Sequence, residues 1–246
     1  MKDFATKMID ALFPPRCAIC DEVVEIGETI CENCKKGLPY LSQPVCLKCG
    51  KEVELEEQEY CKDCRTWERT FVRGYPVFSY IPPIVDSLMA YKYNGRQEYA
   101  IFYSNEIIKR FGNEFKTLAI DAVIPVPIHS KKYTTRGYNQ AELIATPVAK
   151  WLGVPVITDL LSRDTDTPPQ KELGKGEREK NMKGAFSINE EVLKDIVAEG
   201  GKLRTVLIID DIYTTGATIQ ACTELLLGSG SERVYYTSVA IGKGVS

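Results

Sequence analysis

Four Cys-x-x-Cys pairs crowd the first quarter of the chain: Cys17/Cys20, Cys31/Cys34, Cys46/Cys49 and Cys61/Cys64. Nine cysteines scattered at random over 246 residues would give about 0.3 pairs at that spacing, so chance does not account for four. Zinc takes four soft ligands in a tetrahedron, and two such knuckles brought together by a hairpin supply four thiolates with little strain. Ten or eleven residues separate successive pairs, enough for that hairpin, and Gly37 and Gly50 follow knuckles where a positive φ is often needed. A disulfide scaffold would suit a secreted protein, but the segment from Met1 to Pro15 carries Asp3 and Asp10 inside its apolar stretch and does not read as a secretory signal. Eight thiolates therefore imply two closed, structural zinc sites, with no ligand position open for water. Sequential pairing (Cys17, Cys20, Cys31, Cys34, then Cys46, Cys49, Cys61, Cys64) makes tandem ribbons, and alternating pairing makes a cross-braced module. Tandem ribbons are favoured because each closes only a local loop.

Charge sharpens the role of this module. The chain has 31 basic and 34 acidic residues, net −3, and so presents no global positive field to nucleic acid. Residues 1–70 hold 10 Lys and Arg against 14 Asp and Glu, and the remainder 21 against 20. Two Zn(Cys)4 units, each formally −2, would take the front module from −4 to about −8. Such a module repels a DNA backbone, and contact with protein is its expected use, with a local basic face of Lys35, Lys36, Lys48 and Lys51 as the alternative. Before the ribbons, Phe4, Met8, Ile9, Leu12 and Phe13 recur at helical intervals and suggest an amphipathic helix ending near Pro14. No apolar run approaches the roughly 18 residues that span a bilayer, so no membrane insertion is expected and the cytoplasm is the expected compartment. The length fits a small N-terminal helix and double zinc ribbon over 1–70 and one full domain over 71–246.

Beyond Trp67 the pattern changes to alternating strands and helices. Val77 to Ile81 reads as a strand, and Pro82 and Pro83 open a helix carrying Ile84, Leu88 and Tyr91; a second helix runs from about Arg96 to Phe111. Ala122 to Val126 is an apolar strand, followed by a basic loop and a helix from about Asn139 to Leu152 that Pro147 should kink. Val206 to Ile209 is a continuous apolar run of the kind buried at the centre of a parallel sheet, and Val234 to Ile241 adds another strand. The class is α/β, a parallel sheet with flanking helices behind the ribbon module. Cys222, beside Leu225 and Leu226, reads as a core thiol.

The segment Val206-Leu-Ile-Ile-Asp210-Asp211-Ile-Tyr-Thr214-Thr215-Gly216-Ala217-Thr218 carries the chemistry. An apolar strand runs into two acids, then a hydroxyl-rich turn, then a helix. Ligands in such sheets bind at the carboxyl ends of strands, and the free N–H groups at a helix start, with Thr hydroxyls, form a cradle for phosphate. Asp210 and Asp211 sit where they can accept hydrogen bonds from sugar hydroxyls or hold a hydrated magnesium ion.

This string resembles the 5-phosphoribosyl 1-diphosphate (PRPP) loop of type I phosphoribosyltransferases, and with the cysteine-rich front the chain resembles the ComF family, which includes competence proteins of bacterial DNA uptake. Pro125-Val-Pro127, Arg136-Gly137-Tyr138-Asn139-Gln140 and the run from Arg163 through Thr167, Gln170 and Arg178 to Asn181, Gly184 and Phe186 extend the likeness. The resemblance implies a type I phosphoribosyltransferase-like sheet with Mg2+ and PRPP as ligands. It implies that Asp210 and Asp211 meet the ribose hydroxyls as the catalytic pair and that Thr214, Thr215, Gly216, Ala217 and Thr218 wrap the 5-phosphate. The segment with Pro127, His129, Ser130, Lys131, Lys132 and Arg136 would face the diphosphate, and its local charge agrees, since no acid lies between His129 and Ala141. The polar stretch from Arg163 to Gly184 suits a flexible lid bearing Arg163, Gln170 and Arg178, and Lys92 and Arg96 resemble part of the hood that receives an acceptor. Thr214 stands where some purine-salvage relatives place an acid that assists base deprotonation, so any general base must come from elsewhere. The implied activity is magnesium-dependent transfer of phosphoribosyl to an acceptor. The alternative is a non-catalytic competence accessory that binds single-stranded DNA and partner proteins, with Lys131-Lys132-Tyr133 and Arg136-Gly137-Tyr138 stacking bases and neutralising phosphates. In either case the ribbons could recruit a DNA-uptake helicase or another competence protein.

Overall fold

A computed structural model describes residues 14–164 and 184–242. The amphipathic helix expected around Phe4 to Phe13 lies outside them. Each cysteine quartet is sequential, so the ribbons are tandem as expected. In both, the third cysteine is the N-cap of a short helix that carries the fourth: α1 (Glu32–Lys35) after Cys31 and α2 (Lys62–Thr66) after Cys61. Isolated bridges Arg16↔Val23 and Val45↔Glu52 close the first knuckle of each ribbon.

The α/β part follows as β1 (Gly74–Ser79), α3 (Ile84–Tyr93), α4 (Tyr99–Thr117), β2 (Ala122–Pro125), α5 (Ser130–Arg136), α6 (Gln140–Leu152), β3 (Leu161–Arg163), β4 (Phe186–Ile188), α7 (Glu190–Ala198), β5 (Thr205–Tyr213), α8 (Ala217–Gly228) and β6 (Arg233–Ile241). Four strands form one parallel sheet in the order β1-β6-β5-β2, and residues 155–157 extend it beside β2 through the Val123↔Val156 bridge. β3 and β4 pair separately as an antiparallel ribbon.

β5 is apolar from Val206 to Ile209 because both of its faces are covered there. Leu207 and Ile209 pack with α3, α4 and α6 through Ile84, Leu88, Phe102, Tyr103, Ile144 and Val148. Val206 and Ile208 pack with α8, β3 and β4 through Ile219, Cys222, Leu226, Leu161 and Phe186. The ribbons follow the same division: Cys17, Ala18 and Ile30 of the first join the α3–α4 layer, and Cys46, Cys49 and Cys61 of the second join the α8 layer. Between them the chain crosses the open edge of the sheet, where Ser79 N–H donates to Pro39 at 2.8 Å and Leu41 N–H to Val77 at 3.3 Å. That pairing covers a strand edge that would otherwise invite association.

Two details depart from the sequence reading, and α6 and Cys222 follow it. The basic segment expected as a loop is the helix α5, which starts at His129, whose side chain caps the Lys131 amide, and stops at Gly137, where φ is +80°. The second helix runs from Tyr99 to Thr117 instead of from about Arg96 to Phe111, because Gly95 at φ +69° and a turn through Gln97 precede it. α6 continues past Pro147 to Leu152, and Asn139 caps its start. Cys222 is fully buried and burial pushes its thiol up, as befits a core residue.

The second ribbon is bonded to the sheet as well as packed on it. The buried Tyr236 hydroxyl of β6 donates to the Cys49 carbonyl at 2.8 Å. Tyr236→Phe leaves that carbonyl without its donor and should cost about 1–3 kcal/mol in denaturant unfolding. The variant should also surrender zinc to a chelator faster from the Cys46 quartet than wild type does, with the Cys17 quartet unchanged; equal acceleration at both quartets would contradict this coupling.

Candidate functional site

Adjacent strands β2 and β5 send their following helices to opposite faces, α6 to one layer and α8 to the other. Their carboxyl ends therefore form a switch point, where open α/β sheets leave a crevice. The two segments that the sequence singled out, 126–136 and 210–218, lie on its two sides.

On the β5 side, Gly216 has φ +81° and precedes α8 as its N-cap, and a Cβ there would overlap the Tyr213 ring and hydroxyl. Only glycine fits. Having no side chain, Gly216 cannot cap the helix, and Thr215 Oγ1 reaches the Ala217 amide only at 3.5 Å, so the first-turn N–H groups of α8 are left for an anion. The turn is held from behind by the second ribbon's exit strand. Arg69 Nη2 donates to the Thr215 carbonyl at 2.8 Å, and Thr70 exchanges hydrogen bonds with Gln220 of α8. Beneath the turn, Tyr213 stacks on Tyr236 at 4.8 Å with 9° between planes, and Phe71 meets Tyr236 edge-on at 5.0 Å.

Asp210 and Asp211 occupy successive strand positions and so leave β5 toward opposite faces. Asp211 Oδ2 lies 2.7 Å from Lys92 Nζ, with the two side chains only 14% and 15% exposed. Asp210 Oδ1 accepts the Asp211 amide at 2.8 Å. Burial, and then the negative charge of Asp211, push the Asp210 carboxyl up to about 7, and Lys92 and Arg163 draw it partly back. Near neutral pH the pair is thus one carboxylate matched to an ammonium beside one carboxyl that retains much of its proton.

On the β2 side, Asn139 ties the start of α6 to the strand end, donating to the Val126 carbonyl at 3.1 Å and accepting from Ala141. Pro127 lies in the buried stretch that leads to the cap residue His129, whose Nδ1 accepts from the Lys131 amide at 3.2 Å. Ser130, Lys131, Lys132 and Arg136 belong to α5, none of whose residues is buried. Arg136 is anchored: Nη1 donates to Gln140 Oε1 at 2.9 Å, Nη2 to the Tyr93 hydroxyl at 3.1 Å, and the guanidinium lies 4.8 Å over the Tyr93 ring. Gln140 is almost fully buried, and its Nε2 has no hydrogen-bond partner among the described residues.

Other expected site residues fall elsewhere. Arg163 ends β3, opposite Phe186, with its guanidinium 5.2 Å over that ring and close enough to Asp210 to act on its charge, at the start of the stretch expected as a lid, most of which lies outside the described residues. Gln170 and Arg178 lie outside the described residues. Arg96 pairs with Asp21 of the first ribbon, whose other oxygen accepts the Tyr99 hydroxyl at 2.7 Å, so it fastens the modules and does not roof the cleft. Lys92 does reach the site, though onto the acids. Sequence reasoning gave no site role to Arg69 or Gln140, because a residue 146 positions from its partner leaves no periodic or spacing signal.

The cysteine sites fit zinc. A tetrahedron with Zn–S bonds of about 2.3 Å sets its sulfurs about 3.8 Å apart. Cys20 and Cys31 Sγ stand 3.8 Å apart and Cys49 and Cys61 Sγ 3.6 Å apart, and within each quartet all four sulfurs lie within 4.8 Å of one another. These separations also exclude disulfides, whose S–S bond is about 2.05 Å.

Comparison with known proteins supports both halves. Residues 8–65 match the double zinc ribbon domain family. Over 234 residues the chain is 26% identical to competence protein F of Haemophilus influenzae, covering 92% of this chain and 96% of that one. The resemblance to the ComF family stands. The DNA utilization protein YhgH of Escherichia coli K12 is 26% identical over 221 residues (89% and 86% of the two chains), and competence protein ComFC of Bacillus subtilis 24% over 235 residues (87% and 89%). Among solved structures, orotate phosphoribosyltransferase from Aeropyrum pernix overlays 62% of this chain and 64% of its own at a TM-score of 0.36 and 16% identity. Among the described residues, no helix is long and apolar enough to cross a membrane.

A carboxyl held near 7 when folded and near 3.9 when unfolded contributes stability at low pH that is lost as pH rises through the folded value. Relative to Asp210→Asn, the wild type should lose about 2–3 kcal/mol between about pH 5 and pH 8 in parallel denaturant melts. A pH-independent difference between the two would refute the assigned environment.

Proposed function

We propose that the switch-point crevice binds PRPP, carrying Mg2+ on its diphosphate, and transfers its phosphoribosyl group to an acceptor. The observation that carries this reading is the placement of the acid pair and the uncapped start of α8 on either side of one three-residue turn. The amides of α8 with Thr214, Thr215 and Thr218 would hold the 5-phosphate, and Asp210 and Asp211 would accept from the ribose hydroxyls. Asp210, with its raised pKa, can give as well as accept a hydrogen bond there. Lys131, Lys132, Arg136 and the Gln140 amide, together with His129 and Ser130, would face the diphosphate and stabilise its departing charge. Bound Mg2+ would supply further neutralisation of that diphosphate. As the leaving group departs, the anomeric carbon gains oxocarbenium character that the nearby carboxylate of Asp211 favours.

The activity would serve competence or DNA utilization, as the names of the relatives suggest, and would act in the cytoplasm, with the acidic ribbon module over 1–70 available to a basic partner such as a DNA-uptake helicase. Tyr133, 52% exposed beside Lys131 and Lys132, favours a second reading in which this rim stacks and neutralises single-stranded DNA.

Calorimetric titration with PRPP and Mg2+ tests the first reading. Each charge-assisted hydrogen bond is worth about 1.5–3 kcal/mol, so Asp210→Asn with Asp211→Asn should weaken PRPP binding by about 100-fold or more. Unchanged affinity would end the proposal. Repeating the titration with an oligonucleotide at low salt tests the second, which requires competition with PRPP and a steep loss of DNA affinity with salt.

A further inference from the structure

The acid pair has a cation of its own. Lys92 Nζ sits 2.7 Å from Asp211 Oδ2 in a nearly dry environment, and holding a lysine so costs about 2 kcal/mol of side-chain entropy before desolvation. The position is built and not incidental. On one side of Lys92, the Tyr91 hydroxyl donates to the Gln140 carbonyl at 2.8 Å and the Tyr91 carbonyl accepts the Tyr138 hydroxyl. On the other, Tyr93 carries the Arg136 guanidinium on its ring and on its hydroxyl. The last turn of α3 is thus clamped to α5 and α6 at the residues before and after Lys92, which delivers the ammonium to the end of β5.

We propose that Lys92 is the tethered counter-ion of the Asp210–Asp211 pair, excluding free divalent cations from it until a ligand's neighbouring hydroxyls exchange with the ammonium. A cation cage needs carboxylates that are free to turn toward the ion. Here one is already bonded to an ammonium and the other to a backbone amide. Magnesium would then arrive only on a diphosphate ligand and never sit on the empty acids. The inference takes from the functional reading above only the identity of the acids as the sugar-hydroxyl site, and its test contains no sugar.

The probe is Mn2+ alone, titrated into the full-length, zinc-loaded protein, with free Mn2+ read by electron paramagnetic resonance. Wild type and Asp211→Asn should bind equally, both through unrelated surface sites. Lys92→Met should gain one site at least tenfold tighter than any in wild type, and Lys92→Met with Asp211→Asn should lose it. Lys92→Gln gives the same reading through a second neutral side chain, and two zinc ions per chain with an unchanged near-ultraviolet circular dichroism spectrum certify each fold. Wild-type Mn2+ binding that Asp211→Asn abolishes, or no new site in either neutral variant, would overturn the proposal. Unchanged PRPP affinity of Asp210→Asn with Asp211→Asn in the separate calorimetric experiment would instead count against the sugar assignment.

Discussion

Three packed aromatic rings, two stacked and one edge-on, carry the rest of this structure. Tyr213 ends β5, Tyr236 lies beside it on β6, and Phe71 approaches from the ribbon exit, so one aromatic cluster is at once the floor of the candidate phosphate turn and the roof of the second zinc site. The turn above it has little choice of shape. Gly216 must remain glycine because Tyr213 fills the space of a Cβ, and Arg69 fixes the Thr215 carbonyl from the ribbon side. A small cysteine-rich module has too little apolar surface to be stable unaided, and metal supplies the missing free energy of folding. In this chain the same module also holds the turn, through Arg69 and Thr70. The two ribbons are unequal in this respect, for the first packs on the opposite layer and fastens to the α3–α4 junction through Asp21.

The electrostatics of the crevice follow from the same economy. Two carboxyls at the end of a buried strand repel each other and resist desolvation, and the protein answers with Lys92 on one and a retained proton on the other. The basic helix across the crevice is largely exposed, apart from Arg136, which is pinned by Tyr93 and Gln140. The Gln140 Nε2, buried with no partner among the described residues, is a donor that a polar ligand could satisfy.

Much of this was legible in the sequence because its causes are local. The apolar run Val206–Ile209 announces a strand covered on both faces, and the quartets pair sequentially because hairpin closure is cheap. The acids and the Thr-Thr-Gly turn were recognisable because they adjoin that strand in sequence. Arg69 gains its place from a contact across 146 residues of chain, and Lys92 meets Asp211 across 119, a pairing that no window of sequence shows. The helix α5 was taken for a loop because histidine is not among the favoured N-caps and its residues show no apolar stripe, yet imidazole Nδ1 and Gly137 bound it at either end. Arg96 was read as a hood residue from motif order alone, and its partner Asp21 draws it to the junction with the first ribbon.

A crystal structure with ribose 5-phosphate bound tests the central claim most directly. The account places the phosphate on the amides of Gly216 to Thr218, the two ribose hydroxyls against Asp210 and Asp211, and the Lys92 ammonium withdrawn from its 2.7 Å contact with Asp211. Density for the sugar away from the end of β5, or an undisturbed Lys92–Asp211 pair beneath a bound ligand, would contradict it.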